Sequence, residues 1–70
     1  MKWLQVNPSA DAWRAVGDKK VFTIYLHESG VYVAYVLMQG YPSQSLPVGT
    51  TAGYYTRQQA QAACEDANRQ

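Results

Sequence analysis

Two adjacent stretches, residues 21–28 and 31–38, are rich in β-branched and aromatic side chains and are separated only by a Ser-Gly dipeptide. This pattern predicts a β-hairpin. A two-residue turn would place Glu28 opposite Val31 and so fix the register. With that register, one face of the hairpin consists of three apolar pairs, which we assign to the core: Phe22–Leu37, Ile24–Tyr35 and Leu26–Val33.

The second face of this hairpin constrains function most. It is predicted to carry Val21, Thr23, Tyr25, His27, Tyr32, Ala34, Val36 and Met38. A face in contact with water is usually mostly polar, and this one is not. Two alternatives follow: Trp3 and Trp13 fold over the face, or a partner molecule covers it.

A helix is predicted after the hairpin. Thr56 and Gln59 have the spacing of a capping box, and four small residues then recur at helical spacing on one face: Ala60, Ala63, Cys64 and Ala67. Short strands are expected within residues 2–6, 13–16 and 44–55. We therefore predict one α+β domain over residues 1–70, with a three- to four-stranded antiparallel sheet and one C-terminal helix packed on one face. The path of residues 39–53 stays open.

Composition narrows the function classes. The 70 residues are 47% hydrophobic and 16% charged, with a net charge of +1. A dedicated nucleic-acid binder usually has a clear basic excess. Residues 2–8 lack the apolar run of a signal peptide. The longest apolar run, residues 31–38, is too short to span a membrane. The single cysteine cannot form an internal disulfide. We expect a cytoplasmic protein with no membrane contact.

The sequence contains few candidate catalytic residues. His27 is the only histidine and Cys64 the only thiol. The predicted helix face places Cys64 in the core and the predicted hairpin places His27 on the opposite side of the sheet, so the two do not form a nucleophile pair. One cysteine, one histidine and scattered acids do not make a zinc site. We expect no metal, no cofactor and no enzymatic activity.

Three segments resemble a known family. They are residues 32–36 (YVAYV), residues 53–56 (GYYT) and the alanines of the helix. In this order they are similar to the AP2-type DNA-binding domain and the related arm-binding domain of phage integrases, which have three strands and a helix. The resemblance covers roughly residues 21–67 and implies that fold and a nucleic-acid-binding alternative. The family's free sheet face carries arginines, whereas the corresponding residues here are Thr23, Tyr25, His27 and Tyr32.

The six tyrosines favour protein binding, because tyrosine is enriched at protein interfaces. We therefore predict a non-enzymatic module that docks on another protein, with these contacts: Tyr25, His27, Tyr32, Val36, Met38 and Tyr41. In size and style the chain resembles small accessory proteins of phages and mobile elements, so an inhibitor of a host or defence protein complex is the expected role. The alternatives are a weak nucleic-acid binder using Arg14, Lys19 and Lys20, and a homodimer.

Overall fold

A computed structural model describes residues 1–6, 11–38, 40 and 44–69. Five strands and one helix follow in chain order: β1 (Leu4–Gln5), β2 (Ala12–Val16), β3 (Lys20–Leu26), β4 (Tyr32–Met38), β5 (Ser45–Pro47) and α1 (Arg57–Asn68). Each strand pairs antiparallel with the next, so the spatial order is β1-β2-β3-β4-β5. The α+β class and the single C-terminal helix are confirmed, and the sheet has five strands rather than three to four.

The additional strands are short and lie at the edges of the sheet. β1 has two residues and β5 has three. Both fall within segments where a short strand is predicted, but the sequence does not show that all of them join one sheet. Antiparallel pairing to β2 and β4 supplies the backbone hydrogen bonds that such short segments cannot form alone.

The register predicted for the β3–β4 hairpin is wrong by one residue. The backbone N–H of His27 donates to the Val31 carbonyl at 2.8 Å, and the N–H of Gly30 donates to the His27 carbonyl at 2.9 Å. The turn therefore has three residues, and Gly30 takes the left-handed conformation, with φ of +93°. A three-residue loop with a left-handed glycine in its last position is a common alternative to the two-residue turn.

The corrected register moves the β4 side chains to opposite faces. Phe22 pairs with Val36, Ile24 with Ala34 and Leu26 with Tyr32. Because side chains alternate along a strand, a shift of one residue exchanges the two faces of β4 completely. Its even-numbered residues face α1, and its odd-numbered residues face away.

The helix forms as predicted. The Thr56 side chain accepts a hydrogen bond from the Gln59 backbone N–H, and the Gln59 side chain accepts one from the Thr56 N–H, which completes the capping box. Ala60 and Cys64 are fully buried against the sheet. At the other end of α1, Lys20 Nζ donates to the Ala67 carbonyl at 3.1 Å. A cation is stabilised there by the negative C-terminal end of the helix dipole.

The core lies between α1 and the sheet. Its buried members are Phe22, Ile24, Ala34, Val48, Ala60 and Cys64. The segment before α1 is tied to β4, since Tyr32 and Tyr54 exchange two backbone hydrogen bonds of 2.7 Å. The core thus occupies one side of the sheet.

Candidate functional site

The side of the sheet turned away from α1 is the candidate site, and we name it the open face. Directly paired residues of neighbouring strands share one side of a sheet, which assigns to this face Leu4, Ala12, Arg14, Val16, Val21, Thr23, Tyr25, Val33, Tyr35, Leu37, Ser45 and Pro47. Within the described residues, no helix or strand packs on it. Most of the set is apolar or aromatic, and Arg14 is its only charged residue.

Two tyrosines stack at the middle of the open face. The rings of Tyr25 and Tyr35 are 6.1 Å apart between centroids, with an angle of 9° between their planes. Desolvation in this pair, with the neighbouring Tyr35 phenol adding to it, raises the pKa of Tyr25. The stack presents two aromatic side chains together, and tyrosine is among the residues that contribute strongly at interfaces.

Two of the predicted contact residues do share this side of the sheet. Tyr25 is 37% exposed, and His27 follows β3 beside it. Both line a depression of about 230 Å³ together with Val33 and Tyr35. Tyr41, a third predicted contact, lies outside the described residues.

The placement of Tyr32, Val36 and Met38 beside Tyr25 is wrong. The three-residue turn puts them on the α1 side of the sheet, where Val36 pairs with Phe22 and Met38 with Lys20. Tyr32 and Val36 pack against the core cluster. Their places on the open face are taken by Val33, Tyr35 and Leu37. The sequence signal for this arrangement was Gly30, whose position suits the end of a three-residue turn.

Tyr32 has a structural partner in Asp11. Its hydroxyl donates to Asp11 Oδ2 at 2.7 Å, and Trp13 Nε1 donates to Asp11 Oδ1 at 3.0 Å. The Arg57 guanidinium lies 4.2 Å from the centre of the Trp13 ring, a cation–π contact. This cluster connects β2, β4 and the start of α1. The hydrogen bonds from Tyr32 and Trp13 hold the pKa of Asp11 below its usual value, and Asp11 in turn raises the pKa of Tyr32.

The Asp11–Tyr32 bond predicts a pH-dependent effect of Tyr32→Phe on stability. The pKa of Asp11 is lower in the folded state than its unfolded value of 3.8. The ionised Asp11 side chain therefore contributes its full amount to folding stability above pH 3.8, and this contribution is lost as the pH falls through the folded-state pKa. Tyr32→Phe should therefore destabilise the protein at neutral pH and less so in acid. Urea unfolding at a series of pH values measures this, with the exposed Tyr55→Phe as the control. If the destabilisation caused by Tyr32→Phe does not change with pH, Tyr32 is not hydrogen-bonded to an ionised Asp11.

Trp3 and Trp13 do not cover the open face. Trp3 packs against the core cluster on the α1 side, and its Nε1 donates to Glu65 Oε2 at 3.4 Å. Trp13 pairs with Ile24 on the same side. Of the two alternatives left by the sequence, internal closure by these tryptophans is therefore wrong.

The three basic residues of the nucleic-acid alternative do not form one patch. Arg14 is exposed on the open face. Lys19 lies in the β2–β3 turn with φ of +58°, at the end of that face. Lys20 is on the other side, bonded to the carbonyl of Ala67 at the C-terminal end of α1. Two cations remain on one side, and each neutralised phosphate needs its own cation.

Cys64 and His27 are separated by the sheet, as predicted. Cys64 is 0% exposed, and burial raises the pKa of its thiol to about 12. A thiol in that state is a poor nucleophile at neutral pH. His27 Nδ1 accepts a hydrogen bond from the Ser29 backbone N–H at 3.1 Å. No three His, Cys, Asp or Glu side chains in the described ranges come close enough to hold a metal ion together.

No protein-family model, curated protein or solved structure gave a significant match. Among the described residues, no helix has the length and apolar content needed to cross a membrane. Function is therefore inferred from the residues of the open face.

Proposed function

We propose that this chain is a non-enzymatic module that binds another protein through its open face. The observation that carries the proposal is a largely apolar sheet surface on which none of the described helices and strands packs. Leu4, Val16 and Tyr25 on it are 59%, 71% and 37% exposed. Monomeric proteins rarely leave a contiguous apolar patch of this kind in water unless it has a binding function.

The size of the open face suits a protein partner. Five strands span roughly 24 Å at about 4.8 Å per strand, and the seven residues of β4 span roughly 23 Å at about 3.3 Å per residue. Because β1, β2 and β5 are shorter than β4, the 24 strand residues cover only roughly 380 Å² at these spacings. A typical specific interface takes about 800 Å² from each partner. The open face supplies about half of that area, and the turns at its ends can supply the rest.

The centre of the face has the composition of an interface. The stacked Tyr25 and Tyr35 rings offer a large contact area with few rotatable bonds. Val21, Val33 and Leu37 surround them and are half-buried, so they are already partly ordered before binding. Preorganised apolar groups around aromatic anchors lower the entropic cost of association.

The chemistry of the remaining residues supports a binding role over a catalytic one. The buried, protonated thiol of Cys64 is on the far side of the sheet from the open face, and His27 is engaged with Ser29 in a turn. Inhibition of a host or defence protein complex stays a prediction from the sequence. The open face is where such a partner would dock.

Affinity capture tests the proposal against nucleic-acid binding. The tagged full chain is incubated with a lysate of the cells that carry it, split into nuclease-treated and untreated halves and washed at low and high salt. We expect the same protein from both halves, retained at high salt, because apolar docking responds weakly to ionic strength. Recovery that vanishes with nuclease or with salt would contradict the proposal, since phosphate-driven binding weakens steeply with salt.

A further inference from the structure

The open face itself carries one charged side chain, and that side chain is a cation. Arg14 is the charged residue within it, and Lys19 adds a second cation at its end. The acidic side chains are elsewhere: Asp11 is bonded on the α1 side, Asp18 and Glu28 are in the turns, and Glu65 and Asp66 are on α1. The open face is therefore apolar and cationic, without a carboxylate of its own.

Arg14 has no partner within the described part of the chain. Its side chain forms no hydrogen bond or ion pair with the described residues, and it lies in the row of residues that runs from Leu4 to Pro47 across the five strands. Two apolar depressions flank it. One of about 530 Å³ contains Tyr35 and Leu37, and the other, of about 410 Å³, contains Leu4 and Val16. Arg14 lines both depressions, so a partner that fills both contacts Arg14.

Covering an unpaired guanidinium with an apolar surface is costly. A buried charge needs an opposite charge and hydrogen bonds to offset its loss of water. Resting on the docking function proposed above, we infer that the partner presents an amphipathic acidic segment to the open face, with an Asp or Glu carboxylate placed to pair with Arg14 among apolar side chains. A planar guanidinium suits a carboxylate because the two can share two parallel hydrogen bonds.

The same charges disfavour a second copy of the chain as the occupant. In a two-fold symmetric dimer the same patch faces itself. Two open faces would bring Arg14 of both copies into one apolar interface, and neither face contributes a carboxylate. Like charges juxtaposed across an interface oppose association.

Lys19 supports the same partner chemistry. Its φ of +58° is in the left-handed region, which is unfavourable for a residue that carries a Cβ atom. It borders an apolar depression of about 510 Å³ that includes Val16, Val21 and Leu37. The chain thus has a lysine at a position that suits glycine or asparagine, next to the apolar surface. A cation at this point strengthens attraction to an acidic segment.

Selection from a random peptide library displayed on phage tests the inference. The full chain is the bait, and clones that also bind the Leu37→Gln variant are discarded. We expect the remaining peptides to combine apolar residues with Asp or Glu and to bind Arg14→Gln at least tenfold more weakly than wild type. Replacing the critical carboxylate of the peptide by its amide should weaken binding to the wild-type chain by the same factor. The amide peptide should then bind Arg14→Gln no more weakly than it binds wild type. Arg69→Gln removes an exposed arginine from the α1 side and should leave binding unchanged.

The outcomes separate the two levels of the account. Peptides that require Leu37 but lack acidic residues, or that bind Arg14→Gln as well as wild type, would overturn the acidic partner and leave the docking face standing. A library that yields no clone dependent on Leu37 would overturn the docking face itself. If the wild-type chain is a dimer and Leu37→Gln dissociates it, the face binds a second copy. If the chain floats with phosphatidylserine vesicles and Leu37→Gln abolishes the flotation, the face binds a lipid surface. Either result would overturn the inference.

Discussion

Phe22→Ala is expected to lower the free energy of unfolding more than any of the other substitutions, by about 3–5 kcal/mol. Phe22 is 0% exposed and is among the largest fully buried side chains of the described core. Removing a buried phenylalanine side chain costs about 3–5 kcal/mol, because the transfer free energy is lost and a cavity is left. At roughly 0.05–0.15 kcal/mol per residue, the total stability of the 70-residue chain is only about 4–10 kcal/mol. One substitution therefore removes a large part of it.

Far-ultraviolet circular dichroism and urea unfolding measure the effect of Phe22→Ala. The matched control is Tyr55→Ala, which removes an aromatic ring that is 85% exposed and should change the free energy of unfolding by about 0.5 kcal/mol or less. If the two variants are equally stable, Phe22 is not at the centre of the core, and the described packing of α1 on β3 is wrong.

Leu37→Gln is expected to have the opposite profile: a folded protein that no longer docks. Leu37 lies on the open face between Val21 and Ser45 and is only half-buried, so its replacement should cost about 1 kcal/mol or less in stability. In the complex the same substitution places an amide where the partner presents apolar groups. We expect binding to weaken at least tenfold, which corresponds to about 1.4 kcal/mol.

The control for Leu37→Gln is the same change at a leucine on the other side of the sheet. Leu46 is 52% exposed and pairs with Val36, so it lies on the α1 side of the sheet. Leu46→Gln should be folded and should bind the captured protein like wild type. Equal losses of binding in the two variants would contradict the open face as the docking site. A Leu37→Gln protein that unfolds like Phe22→Ala would instead support the two-residue turn, in which Leu37 is a core residue.

The helix could be predicted from the sequence because its signals are local. The capping box of Thr56 and Gln59 depends on residues three apart, and the burial of Ala60 and Cys64 follows from helical spacing. These features do not depend on where the rest of the chain lies.

The identity of the docking residues could be predicted only in part, because it depends on one turn. Phe22 and Ile24 alternate on one side of β3, and this alternation in the sequence correctly predicts that Tyr25 lies on the other side. The residues of β4 are apolar at every position, so their alternation gives no preference for either face. The turn decides, and Gly30 adopts the left-handed conformation of a three-residue loop.

The positions of Trp3, Trp13 and Arg14 depend on contacts between distant parts of the chain. Trp3 reaches Glu65 on α1, and Trp13 contacts Arg57. Which side of β2 faces α1 is set by its pairing with β3, and short polar-apolar segments such as 12–16 carry little information about that pairing. For this reason Arg14 appeared in the sequence only as part of a basic cluster with Lys19 and Lys20.

The most direct test of the docking face is methyl cross-saturation by nuclear magnetic resonance. The chain is labelled at its methyl groups, and saturation is transferred from the unlabelled protein recovered by affinity capture. The open face predicts the strongest transfer at Val21, Val33 and Leu37, with none at Val36 or Leu46, which pair with each other on the α1 side of the sheet. Strongest transfer at Val36 and Leu46 would contradict the account and place the partner on the α1 side.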